Sequence, residues 1–154
     1  AWLVLDGAYS VNTAGLASYR WNQVSAAWRL IAYDSGVRSL LGTATTPLNC
    51  TLNALTVRRQ LNTVQWYVDI TSATAAVVAG DLITLAETWA PPNSVYVTAG
   101  SSPGVQMGLL VTTDGLVRVA WADAGLGRRY ATILYGVASG LPTSLPGTQV
   151  TAPV

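Results

Sequence analysis

The sequence contains no histidine, no lysine and no phenylalanine, and its single cysteine is Cys50. Without histidine, nucleophilic arrangements of the Ser-His-Asp or Cys-His kind are excluded, as are His-ligated zinc or iron sites. Without lysine, a phosphate-binding P-loop and Schiff-base chemistry are excluded. One cysteine cannot form an internal disulfide framework or a Cys-rich zinc site, so we interpret Cys50 as a small buried hydrophobic residue.

Charged residues are also scarce. They make up 10% of the 154 residues, against 51% hydrophobic residues, whereas an ordinary soluble domain has about 25% charged residues. No run of about 18 apolar residues occurs, and residues 73–86, the best candidate, are interrupted by Gly80 and Asp81. The start of the chain has no signal-peptide pattern. Because Met107 is the only methionine, we suspect a processed protein or a segment of a longer one.

The remaining explanation for the scarcity of charge is that identical copies cover the apolar surface. Obligate interfaces resemble a domain core and are depleted of charged residues. We therefore expect a homo-oligomer, and the alternative is a monomer whose surface is built from Thr, Ser, Asn and Gly. The formal net charge of +1 gives no field that would steer the chain to nucleic acid or anionic lipid. We expect neither nucleic-acid binding nor membrane insertion.

The hydrophobic pattern predicts strands separated by turns. The predicted strands cover residues 28–33, 52–58, 63–70, 81–89, 94–98, 105–112, 116–121 and 130–135. The second and third of these should form a hairpin. The third should place Val64, Trp66, Val68 and Ile70 on one face. Strands at this spacing are typical of an all-β, antiparallel β-sandwich or jelly-roll-like module.

Turn chemistry and proline content divide the chain further. Thr113-Asp114-Gly115 predicts a second hairpin, because an Asp-Gly pair tolerates positive φ. We assign residues 28–139 to the β-sandwich domain. Residues 1–27 are assigned to an N-terminal arm or connecting segment. Within it, residues 6–27 mix turn formers with apolar residues, so a strand, a short helix and an irregular arm all stay open. Residues 140–154 contain three prolines, which favour an extended C-terminal tail that lies along a neighbour or stays mobile.

The carboxylates do not form a recognisable catalytic motif. Glycoside cleavage needs two carboxylates about 5–9.5 Å apart. Five acidic residues are available: Asp69, Asp81, Glu87, Asp114 and Asp123. Asp81 and Asp114 each adjoin a turn signal, so we interpret the carboxylates as structural and predict no enzyme activity, no catalytic residue and no cofactor. No metal site is predicted, although a calcium ion near Asp114 or Asp123 stays an open alternative.

The aromatic residues are six Trp and seven Tyr. Indole and phenol rings combine an apolar face with a polar edge, which suits sugar stacking and protein interfaces. Three tryptophans are predicted to lie in the core: Trp28, Trp66 and Trp121. Three other aromatic residues lie nearer the strand ends and are our candidates for an exposed ligand-binding surface: Trp89, Tyr96 and Tyr130.

Two Arg-Arg dipeptides, Arg58-Arg59 and Arg128-Arg129, invite comparison with nucleic-acid-binding patches. In a strand, however, successive side chains point to opposite faces. Neither dipeptide then concentrates charge on one surface. We interpret these arginines as interface or carboxylate-pairing residues.

The order of motifs resembles that of a known family. The motifs are WRLIAYDSGVRSL at residues 28–40, VRRQLNTVQWYV at 57–68, DLITLAETWAPPNSVYV at 81–97 and LLVTTDGLVRVAW at 109–121, followed by YATILY at 130–135. Together they resemble the C-terminal modules of minor tail proteins and tail fibres from long-tailed bacteriophages of Gram-positive hosts. The resemblance covers roughly residues 28–137.

This resemblance implies a trimeric β-sandwich displayed on the virion tail, extracellular when mature. Its implied partners are other virion tail proteins and host cell-wall polysaccharide or teichoic acid. No binding residue can be transferred, because the binding loops vary within the family. The alternative function is purely architectural, as a capsid decoration, head-fibre or baseplate protein without receptor binding.

Overall fold

The computed structural model describes residues 2–6, 15–138 and 140–151. Twelve strands and one short 3-10 helix lie within these residues. The strands are β1 (Trp2–Asp6), β2 (Leu16–Asn22), β3 (Ala27–Asp34), β4 (Val37–Ser39), β5 (Thr51–Gln60), β6 (Thr63–Ser72), β7 (Gly80–Thr84), β8 (Val95–Ser102), β9 (Val105–Val111), β10 (Leu116–Ala122), β11 (Gly127–Gly136) and β12 (Thr148–Thr151). The 3-10 helix η1 spans Glu87–Trp89. The chain is all-β, as predicted.

The first sheet, sheet A, is built around the β5–β6 hairpin. β6 pairs with β11 on its far side, and β5 pairs with β4 and with the last residue of β3. β3 continues outward to β2 and β1, and β4 continues to β12. Every pairing is antiparallel. Ser35 and Gly36 separate β3 from β4, and Gly36 has a φ of 67°, which favours glycine at this break.

The second sheet, sheet B, has the strand order β7-β10-β9-β8 and is also antiparallel. The predicted hairpin at Asp114-Gly115 joins β9 to β10. Gly115 has a φ of 84°, and its carbonyl accepts a hydrogen bond from the Leu85 amide at 3.0 Å. The turn therefore also fixes the chain that leaves β7.

The hydrophobic core lies between the two sheets. Val64, Trp66, Val68 and Ile70 of β6 are all buried, which confirms their predicted common face. Sheet B covers them with buried side chains of its own: Leu82, Met107, Leu109, Val111, Val117 and Val119. Two antiparallel sheets with a shared apolar interior form the predicted sandwich.

A chain of hydrogen bonds crosses this core. The Trp66 indole Nε1 donates to the Tyr135 hydroxyl at 2.8 Å, and this hydroxyl donates to the Trp89 carbonyl at 2.6 Å. Burial raises the pKa of Tyr135 to about 12, so the phenol keeps the proton that it donates. The polar edges of the buried Trp66 and Tyr135 side chains are thereby hydrogen-bonded within the core.

Both ends of the described chain take part in sheet A. The interval predicted as an N-terminal arm contains β1 and β2, and β2 forms a hairpin with β3. The interval predicted as an extended tail contains β12, whose four side chains are all exposed. The residues just before β12 are fixed by Arg38, which donates to the Pro146 carbonyl at 2.9 Å and to the Gly147 carbonyl at 2.8 Å.

The side chain of Trp28, predicted in the core, lies outside the described part of the structure. Cys50 is half-buried against the core rather than fully buried, and its Sγ donates to the Pro47 carbonyl at 3.2 Å. Burial raises the pKa of this thiol. Within the described residues no helix is long and apolar enough to cross a membrane.

Candidate ligand-binding site

Trp121 lies on the outer face of sheet B, not in the core as predicted. Val117 and Val119 of β10 are buried, and strict alternation would bury Trp121 as well. The pairing with β9 shifts at this point, because Val119 lies opposite Leu109 and Trp121 lies opposite Gly108. One extra residue in β10 forms a β-bulge that turns Trp121 outward. The hydrophobic pattern alone gave no sign of this bulge.

Trp121 meets Tyr96 of β8 above Gly108 of β9. The Trp121 indole Nε1 donates a hydrogen bond to the Tyr96 hydroxyl. A methyl group on Gly108 would overlap both of these atoms, so the two rings reach each other because position 108 has no side chain. Trp121 is 36% exposed and Tyr96 is 50% exposed. We call Tyr96, Gly108 and Trp121 the aromatic platform.

A charged pair lies on the same face. Nε of Arg118 is 3.4 Å from Oδ1 of Asp81, and both side chains are partly exposed. Nε of Arg118 is buried and has no hydrogen-bond partner among the described residues. Arg118 lies opposite Leu110, which lies opposite Tyr96 on the next strand. The guanidinium group therefore belongs to the same outer surface as the platform, two strands away from Tyr96.

The outer face of sheet A carries a different arrangement around Asp69. Arg128 donates to both carboxylate oxygens of Asp69, with distances of 3.0, 3.0 and 2.5 Å. Asn53 donates to the same carboxylate at 3.1 Å and the Tyr67 hydroxyl donates at 3.4 Å. The hydrogen bond from Arg128 is the main cause of the lowered pKa of Asp69. The Tyr130 ring, 46% exposed, lies 5.3 Å from the Arg128 guanidinium carbon.

A second buried carboxylate on sheet A is Asp34. Arg58 donates to it through Nε at 3.0 Å and through Nη2 at 2.6 Å. The Gly36 amide donates to Oδ1 at 2.9 Å. The hydrogen bond to Asp34 is the main cause of the raised pKa of Arg58. Carboxylate pairing, one of the two roles expected of all four arginines, is found at Arg58 and Arg128, whereas the second arginine of each dipeptide donates to carbonyl or hydroxyl oxygens.

The second arginine of each dipeptide points into the core, as alternation predicts, and both are fully buried. Arg59 donates to the carbonyl oxygens of Leu61, Thr88 and Gly140. Arg129 donates to the Ser72 hydroxyl and to the carbonyl oxygens of Gln106, Asp123, Gly125 and Gly127. Burial lowers the pKa of Arg59, but a guanidinium stays charged at neutral pH.

The structure does not bring the three predicted ligand-binding residues together. Tyr96 lies on the outer face of sheet B and Tyr130 on the outer face of sheet A. Trp89 is only 2% exposed, so its assignment to an exposed surface is wrong. The predicted strand over residues 81–89 ends at Thr84, and η1 then turns the Trp89 indole into the core. Trp121, expected in the core, is instead exposed on the outer face of sheet B.

The acidic residues form no metal site in the described ranges, since no group of three or more potential ligands is present there. Asp114 instead accepts a hydrogen bond from the Thr112 hydroxyl within the β9–β10 turn, which lowers the pKa of Asp114. No protein-family model matches the chain, and no curated protein matches it closely enough to suggest a function.

Proposed function

We propose that this chain is a non-enzymatic attachment module of a bacteriophage tail fibre or tail tip, which binds glycan on the host cell surface. The aromatic platform is the observation that carries the proposal. A pyranose ring presents C–H groups that pack on an aromatic face, and its hydroxyl groups need hydrogen-bonding neighbours. Tyr96 and Trp121 offer the aromatic faces, and Arg118 and Asp81 offer the polar groups nearby.

The geometry also supports rigid recognition. The Trp121 indole and the Tyr96 hydroxyl hold each other by a hydrogen bond over the backbone of a central strand. Side chains that are fixed before binding lose little conformational entropy when a ligand arrives. A platform on a sheet is therefore suited to binding without a closing loop.

The state of the carboxylates supports binding over hydrolysis. A glycosidase needs a protonated carboxylic acid with a raised pKa as general acid. The pKa of Asp69 is instead lowered by Arg128. Asp34 accepts hydrogen bonds from Nε and Nη2 of Arg58. Carboxylates in such environments stay ionised and act as anchors for the arginines.

Glycan binding can be tested with the purified chain on an immobilised panel of bacterial cell-wall polysaccharides and their oligosaccharides. Trp121→Ala should weaken binding about fivefold to tenfold, because loss of an aromatic stacking partner costs about 1–1.4 kcal/mol. Trp21→Ala is the matched control, since Trp21 is 37% exposed and Trp121 is 36% exposed.

A backbone variant makes the test sharper. Gly108→Ala places a methyl group where the Tyr96 hydroxyl and the Trp121 indole meet, whereas Gly42→Ala places one in open space. Only Gly108→Ala should reduce binding. Equal binding by Trp121→Ala, Gly108→Ala and the native chain would exclude the platform, and release of soluble sugar on prolonged incubation would replace the binding function by an enzymatic one.

A purely architectural role as a decoration, head-fibre or baseplate protein is the second candidate, and one observation favours it. No charged residue follows Arg129, yet this part of the chain contains exposed apolar side chains: Leu134 is 63% exposed and Val150 is 60% exposed. Exposed apolar side chains on uncharged segments are typical of contacts between subunits.

Both candidate functions include assembly of identical copies, and we propose a trimer. Light scattering or native mass spectrometry of the native chain should give three times the monomer mass at micromolar concentration. Leu134→Arg should shift the assembly towards monomer, and Thr98→Arg, exposed on β8 of the other sheet, serves as a charge-matched control. A native chain that stays monomeric at these concentrations would refute the assembly.

A further inference from the structure

The solvent side of sheet A contains a shallow pocket of about 210 Å³ between β4, β5 and β6. Its side walls come from Val37, Thr56, Arg58, Gln65 and Tyr67. Thr56, Arg58 and Gln65 supply hydrogen-bonding groups, Tyr67 supplies an aromatic ring, and Val37 supplies a small apolar surface. The pocket lies on the opposite sheet from the aromatic platform.

Two side chains that line this pocket, Arg58 and Tyr67, are hydrogen-bonded to buried carboxylates. Asp34, whose side chain is 3% exposed, fixes the Arg58 guanidinium through two hydrogen bonds. Asp69, whose side chain is 6% exposed, accepts a hydrogen bond from the Tyr67 hydroxyl. Binding sites need such supporting residues, because they fix the groups that touch the ligand before it arrives.

Two of the side chains that line the pocket, Arg58 and Gln65, keep hydrogen-bonding groups available. Arg58 donates to Asp34 through Nε and Nη2, and within the described chain its Nη1 has no partner. Gln65 is exposed and presents both a donor and an acceptor. These groups match the hydroxyl groups of one sugar residue, while Tyr67 and Val37 match its C–H surface.

Charge selects among polar ligands. The positive charge of Arg58 is balanced by Asp34 at 2.6 Å, so the pocket offers hydrogen bonds without a net charge. An anionic ligand would approach the buried Asp34 carboxylate, and among the described residues that line the pocket the only cation is Arg58, which is already paired. We infer that this pocket is a second glycan-binding site, which takes a single neutral sugar residue.

The two sites can be separated by working in a chain that lacks the platform. In the Trp121→Ala background, saturation-transfer difference NMR with glucose, galactose, rhamnose and N-acetylglucosamine should still detect binding of at least one sugar. Adding Gln65→Ala should weaken this residual binding about fivefold, because an exposed amide contributes roughly one hydrogen bond. Thr63→Ala, also exposed on β6 but outside the pocket, is the matched control.

Each outcome decides one of the proposals. Residual binding that Gln65→Ala weakens and Thr63→Ala preserves supports the pocket, even when the platform itself proves inactive. Loss of all sugar binding in Trp121→Ala alone overturns the pocket and leaves the proposed function intact. Binding of glucuronate or glucose 6-phosphate in preference to every neutral sugar overturns the assignment of ligand class. Because Gln65 is exposed, its substitution avoids the folding defect that loss of Arg58 would cause.

Discussion

The two Arg-Arg dipeptides flank opposite ends of the same strand. Arg59 lies opposite Val64 near the start of β6, and Arg129 lies opposite Ile70 near its end. At both ends the first arginine faces solvent and binds a buried carboxylate. The second enters the core and donates to carbonyl oxygens. Because alternate residues of a strand face opposite sides, one dipeptide stabilises both the surface and the interior.

The inward arginines differ in what they join. Arg59 connects its own hairpin to Thr88 in η1 and to Gly140 in the C-terminal segment, which are distant in sequence. Arg129 mainly organises the loop just before its own strand, through Asp123 and Gly125. Arg59 therefore connects segments that are distant in sequence, whereas most of the acceptors of Arg129 lie within a few residues of it in sequence.

The outward arginines differ in their access to water. The Arg58 side chain is 24% exposed, whereas the Arg128 side chain is 57% exposed. Water can hydrate Arg128 when its carboxylate is removed, but it reaches Arg58 less easily. Loss of the Arg58–Asp34 ion pair should therefore lower the free energy of unfolding more than loss of the Arg128–Asp69 ion pair.

The largest effect should follow removal of an inward arginine. Arg59→Met and Arg129→Met each leave several partly buried carbonyl oxygens without a donor, and each should lower the free energy of unfolding by about 3 kcal/mol. Chemical denaturation measures this change. Arg118→Met, at a side chain that is 41% exposed, should change the free energy by only about 0.5 kcal/mol. Equal effects at all three positions would contradict a special role for the buried pair.

The outward pairs should give a smaller and unequal effect. Asp34→Asn leaves the half-buried Arg58 without its ion-pair partner and should cost about 2 kcal/mol. Asp69→Asn should cost less, because Arg128 is more exposed. Thermal and chemical unfolding of the two variants, measured side by side, test this order. The reverse order would show that the Asn53 and Tyr67 contacts of Asp69 outweigh the difference in exposure.

Much of the sandwich can be predicted from the sequence pattern, but the hydrogen bonds of the buried arginines Arg59 and Arg129 cannot. The β5–β6 hairpin, the Asp114-Gly115 turn and the buried face of β6 were predictable because alternation and turn chemistry are local signals. Burial of Arg59 and Arg129 was implied only by their alternation with outward neighbours, and their acceptors lie on segments far away in sequence. A fully buried arginine is also rare, so composition argues against it.

The candidate site was predictable only in part. Tyr96 and Tyr130 are exposed, as expected for ligand-binding candidates. Trp121 was missed because a β-bulge reverses its side. The need for glycine at position 108 depends on two side chains from neighbouring strands, which no local pattern reveals. Sites built across three strands are specified by register, and register is a tertiary property.

The difference between the inward arginines can be measured at the C-terminal strand. Arg59→Met should speed amide hydrogen exchange in β12 by about tenfold, because the tie between Arg59 and the Gly140 carbonyl is lost and local opening costs less. Arg129→Met should leave β12 unchanged and instead increase exchange in residues 123–127. Hydrogen–deuterium exchange with mass spectrometry resolves these segments. Equal exchange in both variants would remove the distinction between the two arginines.

The pH dependence of stability should report the Asp69–Arg128 pair. The pKa of Asp69 is lowered in the folded state, so its contribution is present above the unfolded-state pKa of about 3.9. The contribution is lost as the pH falls through the lower, folded-state pKa. Asp69→Asn should therefore flatten the loss of stability between pH 5 and about pH 2. A parallel curve for the variant and the native chain would show that the pair does not contribute.

The smallest effect should come from the tyrosine beside the exposed arginine. Tyr130→Ala removes a ring 5.3 Å from the Arg128 guanidinium carbon, and a cation–π contact in water changes the folding equilibrium constant by only about twofold. Tyr33, 3% exposed and 5.9 Å from the Arg59 guanidinium carbon, offers the buried counterpart. Tyr33→Ala should destabilise far more, because it also leaves a cavity in the packed interior. Comparable unfolding midpoints for the two variants would mean that burial of the tyrosine ring does not determine how much each ring stabilises the fold.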